Sequence, residues 1–164
     1  MDELASRRYP VREDMRFQRR SWMVERAGWF VLIAIAVAGL SGIFGNGPAS
    51  WGHATAGPLS VSYQRFERAT RLSPFVFTMA AASGHELTLR LSAPFQRDFE
   101  FTSIQPPPLR SSTGPDGIEL TFAARADATS QIVIWAHSRH YGLSSITATP
   151  NGGAPASFWV FVYP

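Results

Sequence analysis

From Ala27 to Gly45 (AGWFVLIAIAVAGLSGIFG) the chain carries no formal charge and few polar groups of any kind. Coiled at 1.5 Å per residue, that run covers about 28 Å, close to the roughly 30 Å hydrocarbon core of a bilayer. It therefore predicts one transmembrane helix. Past Gly57 the pattern changes to a period of two, the signature of half-buried strands. Leu59, Val61 and Tyr63 alternate with Ser60, Ser62 and Gln64, and Leu87, Leu89 and Leu91 alternate with Glu86, Thr88 and Arg90. Further strands are expected at Phe75–Met79, around Phe99 and Phe101, across Ile118, Leu120 and Phe122, over Gln131–Ala136 and over Phe158–Tyr163. The last is apolar on both faces, as in a central strand or one that a partner covers.

Turn residues separate these runs. Ser83-Gly84, Gly114-Pro115-Asp116-Gly117 and Asn151-Gly152-Gly153 supply the fixed or positive φ of tight reversals. Pro106-Pro107-Pro108 lacks three successive ladder donors and belongs at an edge exit or in a loop. Seven or so short strands with no amphipathic helix between them favour an antiparallel, immunoglobulin-like β-sandwich. The expected plan is mainly β: residues 1–26 a basic segment, 27–45 the membrane helix, 46–57 a linker and 58–164 the sandwich.

Charge orients this plan. Residues 1–26 contain Arg7, Arg8, Arg12, Arg16, Arg19, Arg20 and Arg26, whereas Asn46 to Gln64 holds no formal charge. Short flanks rich in Arg stay cytoplasmic, so the N-terminus is expected inside and the sandwich outside, periplasmic to a bacterial inner membrane. Arg19, Arg20, Trp22, Arg26 and Trp29 suit the inner lipid interface, and Phe44 and Trp51 the outer one. A cleaved signal peptide is the rival reading, because Ala54-Thr55-Ala56 has the form of a signal-peptidase site. Arg19-Arg20 also imitates a twin-arginine signal, but Gln18 and Trp22-Met23 depart from its flanks. The apolar run is longer than a secretory one and lies far from the cut, which favours an uncleaved anchor.

Composition narrows the chemistry. With no cysteine the chain carries no disulfide, thiolate metal site or cysteine nucleophile. All 15 basic residues are Arg and the net charge is only +3, so no nucleic-acid partner is expected of an exported domain. His137-Ser138-Arg139-His140 has an H-x-x-H spacing, and with Met79, His53 or His85 it suggests a copper site if Ser138 and Arg139 make a turn. The plainer reading is two exposed loop histidines. No G-x-S-x-G elbow, H-E-x-x-H or phosphate loop is present, so no catalytic residue and no cofactor are assigned. Asp98 and Glu100 are expected on the wet face of the strand that buries Phe99 and Phe101.

Two regions look suited to recognition. Tyr63 to Arg71 (YQRFERATR) gathers three Arg and two aromatics, residue types enriched at interfaces, with Arg65, Phe66 and Arg68 the periplasmic candidates. In the membrane helix Ala34, Ala38 and Gly42 recur every four residues and would let a second helix approach closely in lipid.

Gln18-Arg19-Arg20-Ser21-Trp22, Arg26-Ala27-Gly28-Trp29, Gly42 to Ser50 and Tyr63 to Arg68 together resemble a family of small bacterial single-pass membrane proteins with no established activity. Its pattern is QRRxW…RxGW, a hydrophobic run, GxFGxGPxS and YxRFxR, followed by a β-rich exported domain; Ala49 stands where a larger apolar residue is expected. The resemblance implies an uncleaved membrane protein and, as a partner, a multi-pass membrane protein of the YetF type. The expected function is that of a non-catalytic accessory protein docking on an integral membrane partner. The alternatives are a periplasmic small-ligand or copper-binding domain and, third, an exported hydrolase.

Overall fold

The apolar run does form a helix, with bounds shifted toward the N-terminus. In a computed structural model, which describes residues 15–42, 47–79, 86–124 and 129–164, helix α1 runs Met15–Leu40. It starts before Ala27 because residues 15–26 are mostly straight-chain helix formers without Pro or Gly. It ends where Gly42 takes a φ of 73°, a left-handed conformation that stops a helix at little cost only in glycine. Phe17–Leu40 is long and apolar enough to cross a membrane and none of it is buried within the structure. Gly42 therefore leaves the helical face expected for it, which keeps Ala34 and Ala38; residues 43–45 lie outside the described residues, as do Phe44, His85 and the Ser83-Gly84 turn.

Ser41–Pro164 forms a second unit, separate from the helix. A 3₁₀ turn at Pro48–Ser50 leads into β1 (Trp51–Ala56), β2 (Leu59–Gln64), β3 (Phe66–Arg68), β4 (Ser73–Met79) and β5 (Glu86–Ser92). Helix α2 (Ala93–Asp98) follows, then β6 (Phe99–Gln105), β7 (Arg110–Gly114), β8 (Gly117–Ala123), β9 (Ser130–Ser138), β10 (Gly142–Pro150) and β11 (Ala156–Tyr163). The strands make two sheets, one ordered β1-β2-β4-β9-β6 and the other β3-β11-β10-β5-β8-β7. The expected β-sandwich plan after one apolar helix is what the chain adopts.

Alternation decides which side chains meet between the sheets. Leu59, Val61, Phe75, Phe77, Leu89, Leu91, Leu120, Ile132 and Ile134 are each at most 1% exposed and fill one core. Toward one end the core is aromatic: Phe75 meets Phe95 of α2 edge-on at 5.0 Å and Phe99 at 5.3 Å, and Phe95 lies 5.2 Å from Phe99. Such ring pairs contribute about 0.5–1.5 kcal/mol each beyond their buried area, and they pin α2 under the mouth of the sandwich.

Several expectations need correction. Residues 46–57 are not merely a linker, because Trp51–Ala56 pairs with β2 from Trp51↔Gln64 to Ala56↔Leu59. Trp51 is consequently a strand residue of the domain. The strand pairs are antiparallel with the exception of β3 on β11, which is parallel and aligns Phe66 with Phe161 and Arg68 with Tyr163. Asp98 does not share a wet strand face with Glu100; it closes α2 at 4% exposure. Pro106–Pro108 follows β6, an edge strand, as the missing donors require.

Candidate functional site

The registers bring distant segments to the end of the sandwich at which the chain enters it. β1 begins there with Trp51 opposite Gln64, β4 begins with Ser73 opposite Ala136, and β6 begins with Phe99 opposite Ser138. In the second sheet Leu143, near the start of β10, pairs with Phe161, near the end of β11. Backbone hydrogen bonds stitch the two sheets at this point. The Arg65 amide donates to the Ser50 carbonyl at 2.7 Å, and the Phe161 amide donates to the Arg65 carbonyl at 2.7 Å. The 3₁₀ turn before β1 is thus two hydrogen bonds from the last strand.

Arg65, Phe66 and Arg68 sit in this junction in three different environments. Arg65 is half-buried, and its Nε is enclosed without a hydrogen-bond partner. Phe66 is half-buried with its ring edge-on to Trp159, centroids 5.9 Å apart. Arg68 is exposed, and no carboxylate pairs with it among the described residues. Trp159 and Phe161 are 41% and 42% exposed, because β11 turns Phe158, Val160 and Val162 inward and sends these two out. Leu143, 65% exposed, stands beside Phe161 on the same face, and Tyr141, 60% exposed, lies two residues before it, just ahead of β10. β11 lies inside its sheet, between β3 and β10, as expected of a central strand, and its apolar second face is an exposed aromatic surface joined to the Arg65–Arg68 segment.

Glu67 faces the other way, and this polar group is one that sequence reasoning missed. It is 1% exposed, opposite Val162, and neither carboxyl oxygen has a hydrogen-bond partner. Desolvation pushes its pKa up from 4.5 to about 8, against the smaller opposing effects of the Ser73 hydroxyl and the Arg71 charge. The Ser73 hydroxyl approaches it without closing a bond of ordinary length. At neutral pH Glu67 is mainly protonated, so it does not cancel the charges of Arg65, Arg68 and Arg71.

The histidine pair is divided between two roles. His137 lies in β9, and its Nε2 is 3.3 Å from Glu100 Oε2, while Arg139 donates to the same carboxylate from Nη2 at 2.8 Å and Nε at 2.9 Å. Hydrogen bonding and charge from Arg139, with a lesser contribution from His137, hold Glu100 below the usual carboxylate range. Ser138 and Arg139 do turn the chain: Ser138 Oγ donates to the His140 carbonyl at 2.7 Å and the Arg139 amide to the Asp98 carbonyl at 2.8 Å. His140 is exposed beyond that turn. Among the described residues no group of three or more His, Cys, Asp or Glu side chains is placed to hold a metal ion.

Asp98 anchors the turn from beneath. It accepts Arg97 Nε at 2.7 Å and the buried Ser144 hydroxyl at 2.8 Å, and the bond from Arg97 leads the effects that hold its carboxyl below the ordinary value. On the helix, Arg26 stacks over the Trp22 ring at 3.8 Å, while Arg19, Arg20, Trp29 and Ala34 are exposed and Ala38 is half-buried. A cation on an aromatic face one turn away suits a headgroup boundary, where both ring and charge meet partly ordered water. Comparison of the chain with family models and with curated proteins returns no match, so the entry end, with Arg68, Trp159, Phe161 and Leu143 exposed on it, stands on its own geometry as the candidate site.

Proposed function

We propose that this chain is a non-catalytic, membrane-anchored accessory protein of the bacterial inner membrane. Helix α1 crosses with its arginine-rich N-terminus in the cytoplasm, docks along Ala34 and Ala38 on an integral membrane partner, and holds the sandwich on the periplasmic side. The resemblance of the Gln18–Arg71 region to small single-pass proteins makes a multi-pass YetF-type protein the candidate partner. The observation that carries the reading is helix α1: Phe17–Leu40 is long and apolar enough to cross a membrane, and none of it is buried within the structure.

The position of β1 also supports an uncleaved anchor. Cutting after Ala56 would remove a strand whose six residues pair with β2 and would leave β2 as an unprotected edge. Purification from native membranes in mild detergent provides the test. The expected result is a protein whose N-terminus precedes Trp51, recovered with a multi-pass protein whose yield falls when Ala38→Leu blocks close helix approach. Recovery of the lone chain, or a mature N-terminus at Gly57, would refute the proposal.

A further inference from the structure

We propose that the exposed aromatic face of the second sheet rests on the anionic phospholipid surface of the membrane that the helix enters, so that the sandwich lies against the bilayer rather than swinging free. This goes beyond a docking role for the helix, and it rests on the anchored reading above. Three observations select lipid as the occupant.

The first is connection. Only residues 41–50 separate the end of α1 from β1, which at about 3.5 Å per residue limits the reach to about 35 Å. The short tether keeps this end at a high effective concentration beside the headgroups, so weak contacts suffice. The second is the division of the sheet's outer face. Across β5, β8 and β7 its charges are already paired, Arg90 with Glu119 at 2.9 Å and Arg110 with Glu86, leaving a polar and locally neutral surface. Across β3, β11 and β10 it presents Phe66, Trp159, Phe161 and Leu143, with Ser145 opposite Trp159. Trp and Phe rings beside a Leu, with few directional hydrogen-bonding groups, suit the fluid boundary between headgroups and acyl chains.

The third is charge. Arg68 is exposed at the rim of the aromatic face with no carboxylate paired to it among the described residues, and Arg71, whose charge is felt by the buried Glu67, is exposed just after it. The acid beside Arg68 in sequence, Glu67, is buried on the opposite side of β3. Each such Arg strengthens attachment to an anionic surface about fivefold, and two together about 30-fold.

The test uses the full chain in lipid nanodiscs. Because the protein has no cysteine, a single environment-sensitive fluorophore is placed by Leu143→Cys, and a control by Ser112→Cys on the ion-paired half. Discs contain phosphatidylcholine with or without phosphatidylglycerol, plus a spin-labelled lipid as quencher. The label at 143 is expected to be quenched by lipid in phosphatidylglycerol discs and the label at 112 not. Arg68→Gln with Arg71→Gln, or omission of phosphatidylglycerol from the unsubstituted protein, should release the label at 143 to water. A label at 143 that stays fully open to aqueous iodide overturns the proposal. So does one shielded from iodide yet untouched by lipid quencher, which means a protein or a second copy covers the face, and so does quenching indifferent to phosphatidylglycerol. Failure of the chain to remain in the disc would instead refute the anchored reading itself.

Discussion

Glu67 holds a carboxyl group where the fold offers it neither water nor a hydrogen bond. Its folded pKa of about 8 lies above the ordinary 4.5, so between those values the native state keeps a proton that the unfolded chain has lost. Stability therefore falls as pH rises through that window and levels off above it. Glu67→Gln keeps the shape and removes the titration. Thermal melts of the full chain in detergent at pH 5 and pH 8 should differ by several degrees for the wild type and coincide for the variant, which is also the more stable at pH 8. A wild-type melting temperature independent of pH over that range would show that Glu67 does not titrate as its burial dictates. Sequence could not reveal this group, because in YQRFERATR a buried glutamate and a solvated one read alike. Asp98 escapes the sequence pattern for a different reason. Alternation assigns faces only after the element is known, and α2 turns a presumed strand residue inward, under Ser144.

Strands with Leu, Val, Ile or Phe at every second position were legible from the period alone, and the inward residues of β2, β4, β5, β8 and β9 are those that the alternation selects. β1, β3, β7 and β10 were not legible. β1 is WGHATA, short of β-branched and large apolar residues, and β7 is exposed at every position. β10 inverts the usual pattern at its start, burying Ser144 and exposing Leu143. The recognition surface stayed half hidden for the same reason: Arg65–Arg68 stood out by composition, but their junction with Trp159 and Leu143 depends on pairings that local pattern does not encode. Turn chemistry was legible where glycine is obligatory. Gly117, after the Pro115-Asp116 turn, has a φ of 128°, and a Cβ there would fall 1.9 Å from the Leu91 carbonyl oxygen. Gly117→Ala should cost at least about 2 kcal/mol, whereas Gly114→Ala, with nothing within 4 Å of its Cβ position, should melt close to wild type. Equal melting temperatures for the two would mean that the β7–β8 turn differs from the one described.

For the molecule as a whole, an apolar helix and a strand-rich tail mark its two units. The proposed orientation rests on the arginine bias, which makes it open to manipulation. Replacing Arg16, Arg19, Arg20 and Arg26 with Gln should lower the periplasmic activity of a reporter fused after Pro164 and raise that of a cytoplasmic one; an unchanged ratio would mean that other signals set topology. The placement of β1 has a mechanical corollary. The tether reaches the sandwich at Trp51, at the open end of the β1–β2 hairpin, and the strand runs from there to Ala56. Tension passed along the axis of that strand loads the ladder in shear, because antiparallel hydrogen bonds lie perpendicular to the strands and must stretch together instead of breaking in succession. A segment whose composition suggests slack between anchor and cargo is thus a paired strand, able to bear load where a free linker would only extend.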